Sequence, residues 1–199
     1  MPAPTSPPVN PGEKAPDFAL PDQTAAIHRL ADYIGRPLVL YFYPKDGTED
    51  CTIEACSFRD ATPAFAKLDA AILGISPDDV KTHGKFAQKH ELGFPLLADP
   101  KPASPVCRAY GTFVEKTMYG RPVTTVARTT YLIDAKGVVR ARWDKDAIES
   151  DVAGHPAEVK AAIQKLLKGH DPQPATTVEV KTKKKATKKT ATKTPSRRG

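Results

Sequence analysis

The sequence predicts an α/β fold in which helices flank a mixed central sheet. Three observations predict it. Two short runs, LVLYFY (38–43) and AAILGIS (70–76), are almost wholly apolar and of strand length, the pattern of strands buried on both faces. Segments with apolar residues at helical spacing follow each run. Farther on, two more strand-like segments flank a short turn and lead into an amphipathic helix. Strands alternating with helices, then a hairpin and a closing helix, imply two helical layers around a mixed sheet.

Taken in order, residues 1–14 are Pro-rich and read as an extended, poorly ordered arm. The folded domain is expected over 15–170. APDFALPDQ (15–23) alternates apolar and polar residues around prolines, which suits short edge strands. Leu38–Tyr43 reads as the central strand. From Thr52 to Leu68 the apolar residues Ile53, Ala55, Cys56, Phe58, Phe65 and Leu68 predict a helix that starts close to Cys51. Pro63 is expected to kink that helix or to end its first part. After the strand at 70–76, Pro77-Asp78-Asp79 is a helix start signal for Val80–His90. FPLLAD (94–99) reads as a strand, and a short helix is expected around Pro105–Tyr110. TTYLID (129–134), AKG and VVRARW (138–143) read as the hairpin. PAEVKAAIQKLLK (156–168) carries an apolar stripe at Val159, Ile163, Leu166 and Leu167, and Gly169 closes it. Residues 171–199 are dominated by Lys, Thr and Ala and are expected to be disordered when free.

Composition narrows the function classes. A chain of 199 residues with 40% hydrophobic residues is one ordinary domain with room for tails. No apolar run approaches the roughly 20 residues of a membrane span. The N-terminal stretch has neither a charged start nor an apolar core, so no signal peptide is expected and the protein reads as cytoplasmic. Three cysteines in a reducing compartment argue against a disulfide scaffold. The net charge of +7 is unevenly placed: residues 172–199 hold nine Lys or Arg against the single acid Glu179, so the body is close to neutral.

The chemistry centres on PKDGTEDCTIEAC (44–56). A zinc site needs about four ligands, and these cysteines have no histidine near them in sequence. The spacing is C-x4-C, which is not the C-x-x-C of dithiol oxidoreductases. Cys56 on an apolar helix face could equally be a small core residue. Cys51 sits in polar surroundings where a strand gives way to a helix, and the N–H groups of a helix start favour a thiolate, the reactive form. Glu49 and Asp50 oppose this, so a cation from elsewhere in the chain is required. Residues five apart on an intact helix have Cα atoms about 8–9 Å apart. A disulfide needs them within about 7 Å. A bond between Cys51 and Cys56 therefore requires the start of the helix to unwind.

YFYPKDGTEDCTIEACSFRD (41–60) resembles the active-site segment of peroxiredoxins, most closely the Q type, also called bacterioferritin comigratory proteins. Pro44, Thr48 and Cys51 meet the pattern P-x-x-x-T-x-x-C, and Cys56 meets that subfamily's second cysteine. FPLLADP (94–100), AYG (109–111), MYG (118–120) and RTTYLID (128–134) are further matches, so the resemblance spans about Ala15 to Lys168. It implies a thioredoxin-like fold with the peroxiredoxin N-terminal extension. It implies Cys51 as the peroxidatic cysteine and Cys56 as the resolving one, joined as an intramolecular disulfide. It further implies Thr48 as a hydroxyl bonding thiolate and peroxide, Pro44 as a shield over the pocket, and Arg128 as the required cation. The implied substrates are hydrogen peroxide and alkyl hydroperoxides, the implied reductant is thioredoxin or a similar dithiol, and no metal or haem is needed. A monomer or weak dimer is implied. Gly47-Thr48-Glu49-Asp50 departs from the more usual Asn-Thr-Pro-Gly, which adds acid and removes a proline before the cysteine.

Cys107 reads as a buried structural thiol, and Trp143, Tyr110 and Phe113 as core or edge aromatics. The five histidines are scattered and suggest no metal site. Lysines spaced by Thr and Ala resemble basic histone-like tails, so residues 181–198 read either as a solubilising extension or as a non-specific, salt-dependent contact with DNA, with an anionic membrane as the weaker alternative. Two other function classes compete with the peroxidase: a DNA-associated protein that uses the body as scaffold or sensor, and a general dithiol oxidoreductase.

Overall fold

The computed structural model describes residues 6–118 and 121–169. Residues 1–5, the last two residues of MYG and the basic tail lie outside them. A small ribbon comes first, with β1 (Ala19–Pro21) antiparallel to β2 (Ile27–Arg29). The segment read as edge strands thus pairs with its own neighbour and forms a separate sheet. A short 3-10 turn, Leu30–Tyr33, leads to β3 (Leu38–Phe42). There follow α1 (Glu49–Ala66), β4 (Ala71–Ser76), α2 (Val80–His90), β5 (Leu96–Ala98) and α3 (Pro105–Ala109). The remainder is β6 (Phe113–Met118), β7 (Arg121–Val126), β8 (Thr129–Ile133), β9 (Val139–Trp143), α4 (Lys145–Ser150) and α5 (His155–Leu167).

The central sheet has the order β5-β4-β3-β8-β9. β3, β4 and β5 are parallel, and β8 and β9 add antiparallel partners, which makes the sheet mixed as expected. LVLYFY is its middle strand. Leu38, Leu40 and Phe42 face one apolar layer while Val39, Tyr41 and Tyr43 face the other, all at most 1% exposed. A two-residue period with both faces apolar is why the run shows no polar alternation. α1 and α5 pack together over the second layer, with Ala55, Phe58 and Phe65 against Val159 and Ile163. Gly74 is the register partner of Tyr41, and a Cβ there would stand 2.7 Å from the Tyr41 ring. The bare backbone lets that ring lie across β4 and stack on Phe58 at 4.9 Å.

Three local outcomes differ from the sequence expectations. Pro63 neither kinks α1 apart nor ends it, because it falls in the last turn and the helix runs on to Ala66. One lost backbone donor so close to the end costs little of the ladder. The hairpin β6–β7 and the short helix α4 were not anticipated. FVEKTM and RPVTTV mix charges and a proline into strands that pair only with each other. Residues 9–14, expected within the arm, lie against the body. Val9 is buried in the first apolar layer, and Gly12 and Glu13 exchange backbone hydrogen bonds with Val139. Asp79 caps α2 by accepting from the Thr82 N–H at 2.7 Å, as its position predicts.

Candidate active site

The loop from Pro44 to Thr48 carries the chain from the end of β3 to α1, and buried polar groups fix it. The Tyr43 hydroxyl donates to Asp46 Oδ1 at 2.7 Å, and His83 Nδ1 lies 2.7 Å from Asp46 Oδ2. The other ring nitrogen of His83 lies 3.3 Å from the Leu97 carbonyl. The Asp46 N–H donates to Asp78 Oδ2 at 2.7 Å, and Ser76 donates to the same oxygen at 2.8 Å. His83 is fully buried, so this cluster ties the loop to β4, α2 and β5 at once. None of Asp46, Asp78 or His83 was singled out from sequence as part of the site. The available signal was Asp46 inside the cysteine loop; its partners are 32 and 37 residues away.

Thr48 is the N-cap residue of α1, with extended backbone at φ −76°, ψ 156°, and its side chain makes no capping bond. Its exposed hydroxyl donates to the Lys45 carbonyl at 3.4 Å, and among the described residues it makes no hydrogen bond to Cys51. Pro44 is half-buried where the chain leaves the sheet. Cys51 is the third residue of the helix and only 1% exposed, turned down onto the second apolar layer.

Arg128 precedes β8, and the pairing of Thr129 with Phe42 brings it to the end of β3, beside that loop. Its Nη2 donates to Cys51 Sγ at 3.4 Å, across 77 residues of sequence. Its Nη1 donates to Glu54 Oε2, one turn beyond Cys51. Arg128 is 4% exposed and Glu54 is fully buried. Burial opposes the charge on Arg128, yet Glu54 and Cys51 outweigh it and hold its pKa above the ordinary value. Burial pushes the Glu54 carboxyl up to about 7, against the pull of Arg128. Glu54 was missed in the sequence reading. Its signal is legible in hindsight: an acid on the stripe of Cys51, Ala55 and Phe58 that faces the core.

Cys56 lies on the same unbroken helix and is half-buried, and both cysteines are free thiols. The structure therefore brings Cys51 and Arg128 together, adds Glu54, and holds Cys56 apart from Cys51 along the helix. Cys107 lies within α3 and is fully buried, and burial pushes its thiol well above the usual range.

Comparison with known proteins places the chain in a family. The model of the AhpC/TSA family matches residues 11–142. A Coxiella burnetii protein named putative peroxiredoxin bcp is 45% identical over 148 residues, 74% of this chain and 94% of that one. Peroxiredoxin Bcp of Bacillus subtilis is 43% identical over 142 residues, 71% of this chain and 89% of its own. Among solved structures, the Xanthomonas campestris bacterioferritin comigratory protein, studied for its alkyl peroxide reduction activity, superposes with a TM-score of 0.69 at 38% identity. That match covers 75% of this chain and 91% of the other. The matches take in the sheet, the cysteine helix and the arginine strand together, and on that extent the chain belongs to the AhpC/TSA family, as a thiol peroxidase of the peroxiredoxin Bcp/Q type.

Proposed function

We propose that Cys51 reduces hydrogen peroxide and organic hydroperoxides and that Cys56 resolves the product as an intramolecular disulfide. The observation that carries this reading is the Arg128 guanidinium, held by Glu54 and aimed at the sulfur of a buried cysteine. The Cys51 thiolate attacks one peroxide oxygen, the O–O bond breaks, and water or an alcohol leaves with a proton. Arg128 and the N–H groups at the start of α1 stabilise charge on the oxygens as they separate. Thr48, on the loop beside the helix start, supplies a hydroxyl to the bound peroxide once its long bond to Lys45 is given up. Pro44 shields the site from the strand side.

Cys51 is then a sulfenic acid. The first turns of α1 unwind, Cys56 attacks, and the disulfide is returned to two thiols by thioredoxin or a similar dithiol through exchange. Support for the alkyl substrate class comes from the X. campestris relative, whose alkyl peroxide reduction activity has been studied. The test is mass spectrometry with non-reducing peptide mapping after one equivalent of hydrogen peroxide. A Cys51–Cys56 linkage that is absent from Cys51→Ser is expected. An unmodified Cys51 rejects the whole reading, and an oxidised Cys51 beside a free Cys56 rejects only the resolving role.

The basic tail supports an added reading, in which residues 181–198 hold the enzyme near DNA in the cytoplasm. Its composition is the supporting observation. A gel shift should weaken steeply with salt and vanish on removal of residues 172–199; a shift that survives the deletion rejects it. The enzyme itself is expected to work as a monomer or weak dimer.

A further inference from the structure

Nothing in the peroxide step uses the groups around Cys56, and they form a cluster of their own. His90 is the last residue of α2, and its Nδ1 lies 3.9 Å from Cys56 Sγ. Arg59, nearly one turn beyond Cys56, donates from Nη1 to the His90 carbonyl at 2.7 Å and pins the end of α2 to α1. Phe86, one turn before His90, packs against the imidazole with centroids 4.9 Å apart and limits its rotation. These contacts hold the imidazole nitrogen toward the Cys56 sulfur at the carbonyl end of α2. The charged neighbours on both helices nearly balance. Arg59 is paired with Asp60 at 2.8 Å and interacts with Glu91 and with Cys56 itself, and Lys89 adjoins His90.

We propose that His90 is the base that takes the proton of the Cys56 thiol when Cys56 resolves the oxidised Cys51. The proposal rests on reading the two cysteines as a peroxidatic and resolving pair. In the step, Nδ1 accepts the Cys56 proton and the thiolate attacks the Cys51 sulfenic sulfur. The S–S bond forms as the S–O bond breaks, so Cys56 is oxidised and the sulfenic sulfur reduced by the same electron pair. Hydroxide leaves and becomes water with the proton returned from the imidazolium, directly or through solvent. The base lies on α2, outside the segment that unwinds, so proton removal can precede the opening of α1.

The experiment follows the two steps separately in the full chain by stopped flow, with Trp143 as the only tryptophan and acid-quenched peptide mapping to identify products. In His90→Gln, Cys51 oxidation is expected at the unsubstituted rate. Formation of the Cys51–Cys56 bond should slow by roughly tenfold near neutral pH, as loss of a general base predicts. The deficit should shrink as pH rises, because hydroxide then removes the thiol proton without a protein base. Equal bond-forming rates with parallel pH profiles overturn the role of His90 alone. Absence of the bond in unsubstituted protein overturns the proposal together with the pair it rests on. A second measurement needs no peroxide: alkylation of Cys56 by iodoacetamide at neutral pH, compared between Cys51→Ser and Cys51→Ser with His90→Gln. Slower alkylation without the imidazole is expected, roughly tenfold for loss of a base. Equal alkylation rates overturn the proposal.

Discussion

At the start of α1 a sulfur lies sealed against the sheet beside a guanidinium; five residues on, another stands half-exposed beside an imidazole. The two sites share one helix and one element, sulfur, yet their partners differ in kind. Arginine keeps its charge at every working pH, so the field at Cys51 is constant. An imidazole nitrogen can accept and return a proton, so the partner of Cys56 can act by transfer. On the proposed roles the contrast matches two demands: the first thiol must be poised before peroxide arrives, whereas the second must give up a proton only when its turn comes.

The sharpest way to break this contrast is to remove the sulfur at the buried end. Cys51→Ser should abolish peroxide turnover, read as peroxide consumption with a dithiol present, while Cys56→Ser should leave the first oxidation of Cys51 intact and remove only the disulfide. Next in size is Arg128→Met. It strips the fixed charge from Cys51 and should slow its oxidation by about 10²–10³-fold, the scale of losing a donor at developing charge. It also leaves Glu54 buried without its partner, which should lower stability by roughly 3–5 kcal/mol in urea unfolding.

Glu54→Gln is milder, because a neutral amide still accepts from Arg128. A loss of about tenfold in Cys51 oxidation is expected from weaker positioning of the guanidinium. The same variant sharpens the picture through pH. The folded Glu54 pKa is raised, so its contribution is full below about 4.5 and is lost as pH rises through about 7. The reverse holds for His155, which is buried beneath Trp143 and Phe58 and whose pKa burial lowers to about 4. Its contribution is full above about 6.5 and is lost as pH falls toward about 4. Each is worth at most about 3 kcal/mol, and they oppose each other across the acid range. Urea midpoints of the unsubstituted chain should therefore change little between these limits. Glu54→Gln should lose stability on acidification, and His155→Gln should lose it as pH rises. Parallel profiles for all three would remove this account.

The smallest expected effect concerns the loop. His83→Gln loosens the anchor of Asp46 and should reduce the rate of Cys51 oxidation a few-fold while costing about 1–3 kcal/mol in unfolding, the scale of an unpaired buried polar group.

Much of this architecture was legible in the sequence, for identifiable reasons. LVLYFY announced a strand buried on both faces because both sets of alternating residues are apolar. The closing hairpin and α5 followed from turn residues and a clean apolar stripe. What escaped were elements without such contrast: β6 and β7 carry charges and pair only with each other, and α4 is barely longer than one turn. The cysteine helix could be read locally, whereas Arg128 could be paired with Cys51 only through resemblance, since spacing carries no information across 77 residues. Glu54, His83 and His90 were missed because each looks ordinary until the fold supplies a partner distant in sequence. His90 in particular belonged to a helix of no evident chemistry until α2 was seen to end against Cys56.

Thr48 begins α1 without capping it, its hydroxyl turned back to the loop, while the loop itself is fastened through Asp46 to three other elements. A missing side-chain cap makes the first turn cheaper to open by about 1 kcal/mol, roughly a fivefold change in how often it opens. On the proposed mechanism a sulfenic acid at Cys51 has two fates, capture by Cys56 or a second oxidation that ends in an irreversible acid. Frequent opening shortens the exposure to the second fate. On that mechanism the uncapped helix start sets a tolerance: how high peroxide can climb before the enzyme is inactivated by its own substrate.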